Sequence, residues 1–195
     1  DDFKVMKYDQ KYPDSIAFIG NISEIFSINF ENRDITDIHN LITKWDRRGN
    51  YDNLGAAQWS LFYDHILRIL DKNEIEVTDT IPEKYFIEGL RETKKYLVRN
   101  FGRLDILLGD LQKHVRADIE LPVSGLIDMI APTYVVSHKD GTYRSVSGES
   151  YIMLVKYSKS GVEIETVLPY GNSNDPTSPH YTDQMRMYVD KKTKS

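Results

Sequence analysis

The chain has 195 residues, of which 40% are hydrophobic and 28% charged, with a net charge of −5 at pH 7 and no cysteine. This composition is typical of a globular protein of about one domain and excludes disulfides, thiolate catalysis and cysteine-bound zinc. The acidic balance argues against a nucleic-acid partner.

Apolar residues at helical spacing dominate the first half of the chain and predict four amphipathic helices. Asp34 is the expected N-cap of the second helix, and Pro82 stands in the first turn of the fourth, where proline is tolerated. The predicted helices cover residues 15–29, 34–45, 54–70 and 82–101, followed by a short helical stretch over about 104–115.

Residues typical of strands dominate the last third. β-Branched and aromatic residues predict strands over Thr133–Ser137, Tyr151–Tyr157 and Val162–Leu168, and the last two should form a hairpin around SKSG. Ser178 followed by Pro179 predicts a final helix that begins with Ser178 as N-cap. We therefore expect one α+β unit over residues 1–195, with a mainly helical part over 1–130 and strands plus a C-terminal helix over 131–195.

The sequence contains none of the familiar catalytic and nucleotide-binding motifs, such as G-x-S-x-G, H-E-x-x-H and the P-loop. The five histidines show no paired ligand spacing, so each is interpreted as a surface or helix-packing residue, and neither a metal nor a cofactor is expected. The oxygen-bearing side chains between Asn172 and Asp175 favour an Asx-type turn over a calcium loop, because the glycine and distal glutamate of such a loop are missing.

Four segments, in order, resemble the penicillin acylase family. The first is ITKWDRRGNYDNLGAAQWSLFY, and the second is LLGDLQKHVRADIELPVSG, in which Lys113 and Ala117 depart from the family pattern. SGESYIMLVKYSKSGVEIETVLPYG is similar to the hairpin that precedes the family's closing signature, and LPYGNSNDPTSPHYTDQMRMY is similar to that signature itself. The residues that carry these matches are Trp45, Asp46, Arg47, Arg48, Gly109, Asp110, Asn172, Ser178, Pro179, His180, Asp183 and Gln184.

This resemblance implies an N-terminal-nucleophile amidohydrolase with a four-layer αββα fold. In that family a precursor cleaves itself, and the new N-terminal serine of the large subunit attacks an N-acyl amide with its own α-amino group as base. By the order of its motifs, the chain corresponds to the C-terminal part of the large subunit. The implied partners are the small subunit, the N-terminal part of the large subunit and an N-acyl amide substrate, such as a β-lactam side chain or an acyl-homoserine lactone.

Asp1 has no hydroxyl or thiol, so the nucleophile and the oxyanion asparagine are expected upstream, with no catalytic residue in this chain. The isolated chain is predicted to be inactive. Family habit implies export to the periplasm or the medium.

Side-chain roles inside the chain remain open at this stage. Glu149 is either a carboxylate that orients a histidine near the nucleophile or an ordinary polar residue at a strand entrance. Asp110 is interpreted as a turn anchor, and Arg47 and Arg48 either end a helix in solvent or form a buried ion pair.

Two other functions are compatible with the sequence. The chain can be a stand-alone interaction module, or a small-ligand-binding domain, for which the only support is its 13 tyrosines. In a fragment, unpaired sheet edges predict self-association.

Overall fold

The computed structural model describes residues 2–16, 20–21, 27, 34–76 and 81–195. The helices are α1 (Asp2–Lys7), α2 (Thr36–Thr43), α3 (Ala56–Lys72), α4 (Glu83–Phe101), α5 (Leu108–Leu111) and α6 (Met185–Val189). The strands are β1 (Ser15–Ile16), β2 (Gly20–Asn21), β3 (Gln112–Arg116), β4 (Ile119–Pro122), β5 (Thr133–Ser137), β6 (Tyr143–Gly148), β7 (Ile152–Ser158) and β8 (Gly161–Val167). The fold is α+β, as the sequence predicts.

Helices α3 and α4 pack against each other and carry most of the main core. The N-terminus of α3 follows Gly55, whose positive φ of 97° suits glycine, and Gln58 accepts a hydrogen bond from the Gly55 amide. Pro82 is the N-cap of α4, and Gly102 ends the helix in the left-handed conformation. Both helices therefore lie within two residues of the predicted bounds, because strong local signals mark their ends.

Trp59 lies at the centre of this core, where its ring is surrounded by four aromatic rings. Its centroid lies 5.7 Å from Tyr12, 5.8 Å from Trp45, 5.6 Å from Phe62 and 6.4 Å from Tyr63. These distances are typical of aromatic pairs that stabilise a protein interior. Tyr12 comes from the segment after α1, so the aromatic cluster attaches the start of the chain to the helices.

The strands form a four-stranded sheet in the order β4-β3-β6-β5 and a separate β7-β8 hairpin. Strands β3 and β6 are parallel, while β3-β4 and β5-β6 are antiparallel. In the hairpin, Val155 pairs with Ile164 and Tyr157 with Val162. A smaller core of Leu121, Val123, Met185 and Val189 joins β4 and its following residue to α6.

Several local predictions are confirmed. Strand β5 has the predicted bounds, and β7 and β8 form the expected hairpin, each shifted by one residue. Helix α2 is also confirmed, but Asp34 is not its cap. Ile35 occupies that position, and Asp34 instead accepts two hydrogen bonds from Arg91 of α4.

Other local predictions are wrong. A helix is predicted over residues 15–29, but the structure has the paired strands β1 and β2 at 15–16 and 20–21. Of the other residues in that range, only Ser27 is among those described. The stretch over 104–115 is helical only in α5, because Gln112 starts β3 and pairs with β6. The final helix begins at Met185 rather than Pro179, and helix α1 and strand β6 were not predicted. Asp1 also lies outside the described residues.

Within the residues described, no helix combines the length and apolar character needed to cross a lipid bilayer.

Candidate functional site

The residues of the first signature segment connect the start of the chain to α3. Trp45 is buried, and its Nε1 donates to the Arg48 carbonyl at 2.9 Å. The Asp46 carboxylate accepts from the Arg48 amide at 3.0 Å and from Asn53 Nδ2 at 2.9 Å. These contacts fix the loop that enters α3.

Arg47 and Arg48 make ion pairs at the protein surface, so the alternative of a buried ion pair is wrong. Arg47 pairs with Asp14, whose side chain is 70% exposed, and Arg48 lies 3.6 Å from Asp9. Backbone hydrogen bonds complete the attachment, because the Tyr12 amide donates to the Arg47 carbonyl at 2.7 Å. The two arginines therefore hold the segment after α1 against the loop before α3.

Gly109 and Asp110 shape the short helix α5. A side chain at Gly109 would meet Pro122 Cβ at 2.7 Å and the Tyr51 carbonyl at 3.0 Å, so only glycine allows this close approach. Asp110 Oδ2 accepts from the Leu107 amide at 3.0 Å and thereby caps the helix. This geometry confirms the interpretation of Asp110 as an anchor of local structure.

The closing segment, residues 168–184, is held by its own turns. The Ser178 hydroxyl accepts from the His180 amide at 3.1 Å, and Asp175 accepts from the Thr177 amide at 2.9 Å. The second contact confirms an Asx-type turn, and the two hydrogen bonds from Thr177 lower the pKa of Asp175. Asn172 and Pro179 are exposed.

His180 and Asp183 form a surface pair rather than the first turn of a helix. His180 Nδ1 lies 2.9 Å from Asp183 Oδ2, and the His180 side chain is 65% exposed. A side chain at Gly171 would overlap the His180 carbonyl oxygen, so this corner requires glycine. Gln184 is buried, and its Oε1 accepts from the Leu168 amide at 3.0 Å.

Glu149 is bound by a lysine, not by a histidine. It follows β6 and forms a close ion pair with Lys7 of α1, and the side chains of Lys7 and Glu149 are 23% and 14% exposed. Burial lowers the pKa of Lys7. Glu149 nevertheless lines the same cavity as His114, which was not predicted as a site residue.

We call this space the His114–Arg116 cavity. Its volume is about 340 Å³. The lining includes His114 and Arg116 of β3, Glu149 directly after β6, and Pro169, Tyr170 and Tyr188. His114 and Arg116 are two residues apart on one strand, so their side chains project from the same face.

His114 is buried in this wall and packs against Tyr188 of α6, so the interpretation of this histidine as a helix-packing residue is confirmed. Its ring stacks on Tyr170 at 4.5 Å, and its Nε2 lies 2.7 Å from the Pro169 carbonyl. Because a carbonyl only accepts, Nε2 carries the proton and donates it. Burial lowers the pKa of His114, although the Pro169 contact opposes this shift. His114 Nδ1 has no hydrogen-bond partner among the described residues.

Tyr188 forms the other aromatic wall. Its ring lies 5.2 Å from His114, and burial, with smaller contributions from Tyr170 and Tyr8, raises the pKa of Tyr188 to about 12. The phenol is therefore neutral at physiological pH. In the part of the chain that the structure describes, no three His, Asp or Glu side chains gather as a metal-binding group.

Comparison with known proteins assigns the family. The family model described as Penicillin amidase matches residues 1–195. The chain belongs to the penicillin amidase family. This is a family of amidohydrolases, in agreement with the resemblance of the four signature segments.

One curated relative and one solved structure are similar to this family member. The relative is the acyl-homoserine lactone acylase PvdQ of Pseudomonas syringae pv. syringae (strain B728a), 28% identical over 86 residues, which are 43% of this chain and 11% of the relative. A thermostable penicillin G acylase from Alcaligenes faecalis matches 95% of this chain and 43% of its own length, with 12% identity and a TM-score of 0.44. The chain thus matches about a tenth of the curated relative and less than half of the solved structure.

Proposed function

We propose that this chain is the C-terminal scaffold of an amidohydrolase that cleaves N-acyl amides, with the N-terminal serine nucleophile outside these 195 residues. The observation that carries the proposal is the family match over residues 1–195. The positions of the signature residues support it, because Trp45, Asp46 and Gln184 hold loops and chain segments together.

The proposed chemistry uses only groups that a polypeptide supplies. An α-amine has a pKa near 8, so it can accept the proton of the hydroxyl beside it at neutral pH. Donors in the remainder of the enzyme would then stabilise the tetrahedral oxyanion. The work of this chain is to support the framework that positions those groups.

The substrate class is proposed from the family and from the curated relative. That relative is an acyl-homoserine lactone acylase, whose substrate is an N-acyl amide, and we propose the same class for the enzyme that contains this chain.

An assay of three proteins tests this function. The isolated chain, the longer protein encoded by the same gene, and that protein with its processing-site serine changed to alanine are incubated with acyl-homoserine lactones and penicillin G. We expect release of the free amine only from the longer unsubstituted protein, together with two processed chains in its mass spectrum. Turnover by the isolated chain, or full activity after the serine substitution, would contradict the proposal.

The β7-β8 hairpin supports a further partner proposal. Met153, Val155, Tyr157, Val162 and Ile164 are exposed, and alternation along paired strands puts them on one face. We propose that the remainder of the acylase covers this face and that the isolated chain self-associates through it. Sedimentation should then show concentration-dependent association that Tyr157→Lys weakens. A monomer at all concentrations would exclude self-association.

A further inference from the structure

The His114–Arg116 cavity has binding features that the scaffold role does not use. Among the described residues, Arg116 makes its polar contacts with uncharged groups and none with a carboxylate. Its guanidinium lies 3.9 Å from the Tyr181 ring and 4.8 Å from the Tyr170 ring, so two aromatic rings hold it in place. Fixing a guanidinium before binding reduces the ordering cost of a ligand contact.

The hydrogen bonds of Arg116 leave donors available. Its hydrogen bonds to described residues all come from Nη2, which donates to Asn174 Oδ1 at 3.2 Å and to the Ser173 carbonyl at 3.4 Å. Within the described residues, Nη1 and Nε make no hydrogen bond. A planar guanidinium with free donors matches the geometry of a carboxylate.

The charges around the cavity favour an anion. Glu149 is the acidic residue in its wall, and Lys7 neutralises it through a close ion pair. Arg116 therefore provides the uncompensated charge, and its attraction for an anion is strengthened by partial burial.

His114 adds a second requirement for the ligand, which is a hydrogen-bond donor. Its Nε2 donates to Pro169, so Nδ1 presents a lone pair, and this atom has no partner in the described part of the chain although His114 is only 2% exposed. A buried acceptor without a partner is costly, and a ligand hydroxyl or N–H would satisfy it.

We propose that the His114–Arg116 cavity binds a small carboxylate that also carries a hydrogen-bond donor. The carboxylate accepts from Arg116, and the donor contacts His114 Nδ1. The cavity volume of about 340 Å³ is at the lower end of the range for small-molecule sites. This site is independent of the amidohydrolase function proposed above, because binding requires no amide and no nucleophile.

The first test uses the unsubstituted chain and matched ligands. Glycolate, β-hydroxypropanoate and γ-hydroxybutanoate are titrated by calorimetry, each beside its uncharged amide and its O-methyl ether. We expect the tightest hydroxy acid to bind about tenfold or more tightly than its amide, which lacks the charge, and more tightly than its ether, which lacks the donor. Equal affinity for every acid and its amide would overturn the proposal.

The second test uses substitutions. Arg116→Gln should weaken the acid about tenfold and remove its advantage over the amide, whereas Arg99→Gln, at an exposed arginine of α4, should change neither. His114→Phe keeps an aromatic ring beside Tyr170 and removes the Nδ1 acceptor together with the Nε2 donor, so it should abolish the advantage over the ether. Amide shifts of residues 112–116 in NMR spectra localise the ligand, and shifts confined to other regions would contradict the site. If either variant fails to fold, the ligand comparison on the unsubstituted chain still decides.

Discussion

The aromatic core around Trp59 and the β7-β8 hairpin are both rich in large apolar side chains, but they differ in what covers those side chains. Trp59 is 1% exposed and contacts rings from three parts of the chain, whereas Tyr157 is 79% exposed. The helical part therefore contains its own core, whereas the hairpin leaves Met153, Val155, Tyr157, Val162 and Ile164 between 37% and 79% exposed. Two regions that are both rich in apolar side chains thus differ in how much of that apolar surface the described residues cover.

Replacing the central tryptophan gives the largest expected effect on this contrast. Trp59→Ala removes an indole from contact with four rings and leaves a cavity, so the free energy of unfolding should fall by about 3–5 kcal/mol. Tyr157→Ala removes a similarly large ring from solvent and should change it by less than about 0.5 kcal/mol. Urea unfolding at low protein concentration measures both. Equal losses would show that the hairpin is as well packed as the core.

A pair of glycines sharpens the comparison between buried and open positions. Gly55 and Gly102 both have positive φ, but an added Cβ at Gly55 would lie 2.5 Å from Trp45 Cβ, while nothing lies within 4 Å of one at Gly102. Gly102→Ala should cost about 1 kcal/mol from backbone strain alone. Gly55→Ala adds a clash within the core and should cost about 2–3 kcal/mol. Thermal unfolding of both variants checks the order, and a larger loss for Gly102→Ala would refute the role of packing.

The accuracy of sequence-based prediction follows the same division. Helices α3 and α4 are predictable because their apolar residues recur at helical spacing and Pro82 and Gly102 mark one of them. Strand β3 is not, because its sequence QKHVR is mostly polar and its pairing partners β4 and β6 come later in the chain. Non-local pairing of this kind overrides local propensity.

Sequence-based prediction of the candidate site has a similar limit. Several signature residues make local contacts, such as Asp110 with the Leu107 amide, and a role in their own turn is predictable from sequence. The Lys7–Glu149 pair joins distant parts of the chain and is not. Ser178–Pro179 has the sequence of a helix start, and the Ser178 hydroxyl accepts from the His180 amide as an N-cap would. The backbone nevertheless forms only a turn there, in which the Tyr181 amide donates to the Ser178 carbonyl, and the helix begins at Met185. The alternation of His114 and Arg116 is visible in the sequence, but only once β3 is known to be a strand.

A pH titration tests two histidines whose pKa values burial lowers. Burial lowers the pKa of His114 in β3 and of His65 in α3, while the unfolded chain keeps values near 6.5. Below that pH the unfolded state binds more protons than the folded state, so stability should fall as the pH drops from about 6.5. His114→Gln or His65→Gln should each reduce this slope in urea unfolding curves. A slope unchanged in both variants would exclude them as the cause.

The smallest effect is expected at the exposed turn between β5 and β6. Asp140 accepts from the Thr142 hydroxyl at 2.6 Å and from its amide at 2.9 Å, and these hydrogen bonds, with His138 and Arg144 nearby, hold the pKa of Asp140 well below its usual range. Because the pKa is depressed on folding, its stabilisation is present above about pH 4, the unfolded value, and is lost as the pH falls through the folded value. The side chain is 43% exposed, so solvent screening limits the loss in Asp140→Asn to about 0.5 kcal/mol at pH 7. Asp118→Asn, at the exposed β3-β4 turn, should have no measurable effect, and a loss at Asp118 equal to that at Asp140 would show that the Thr142 contacts add no stability.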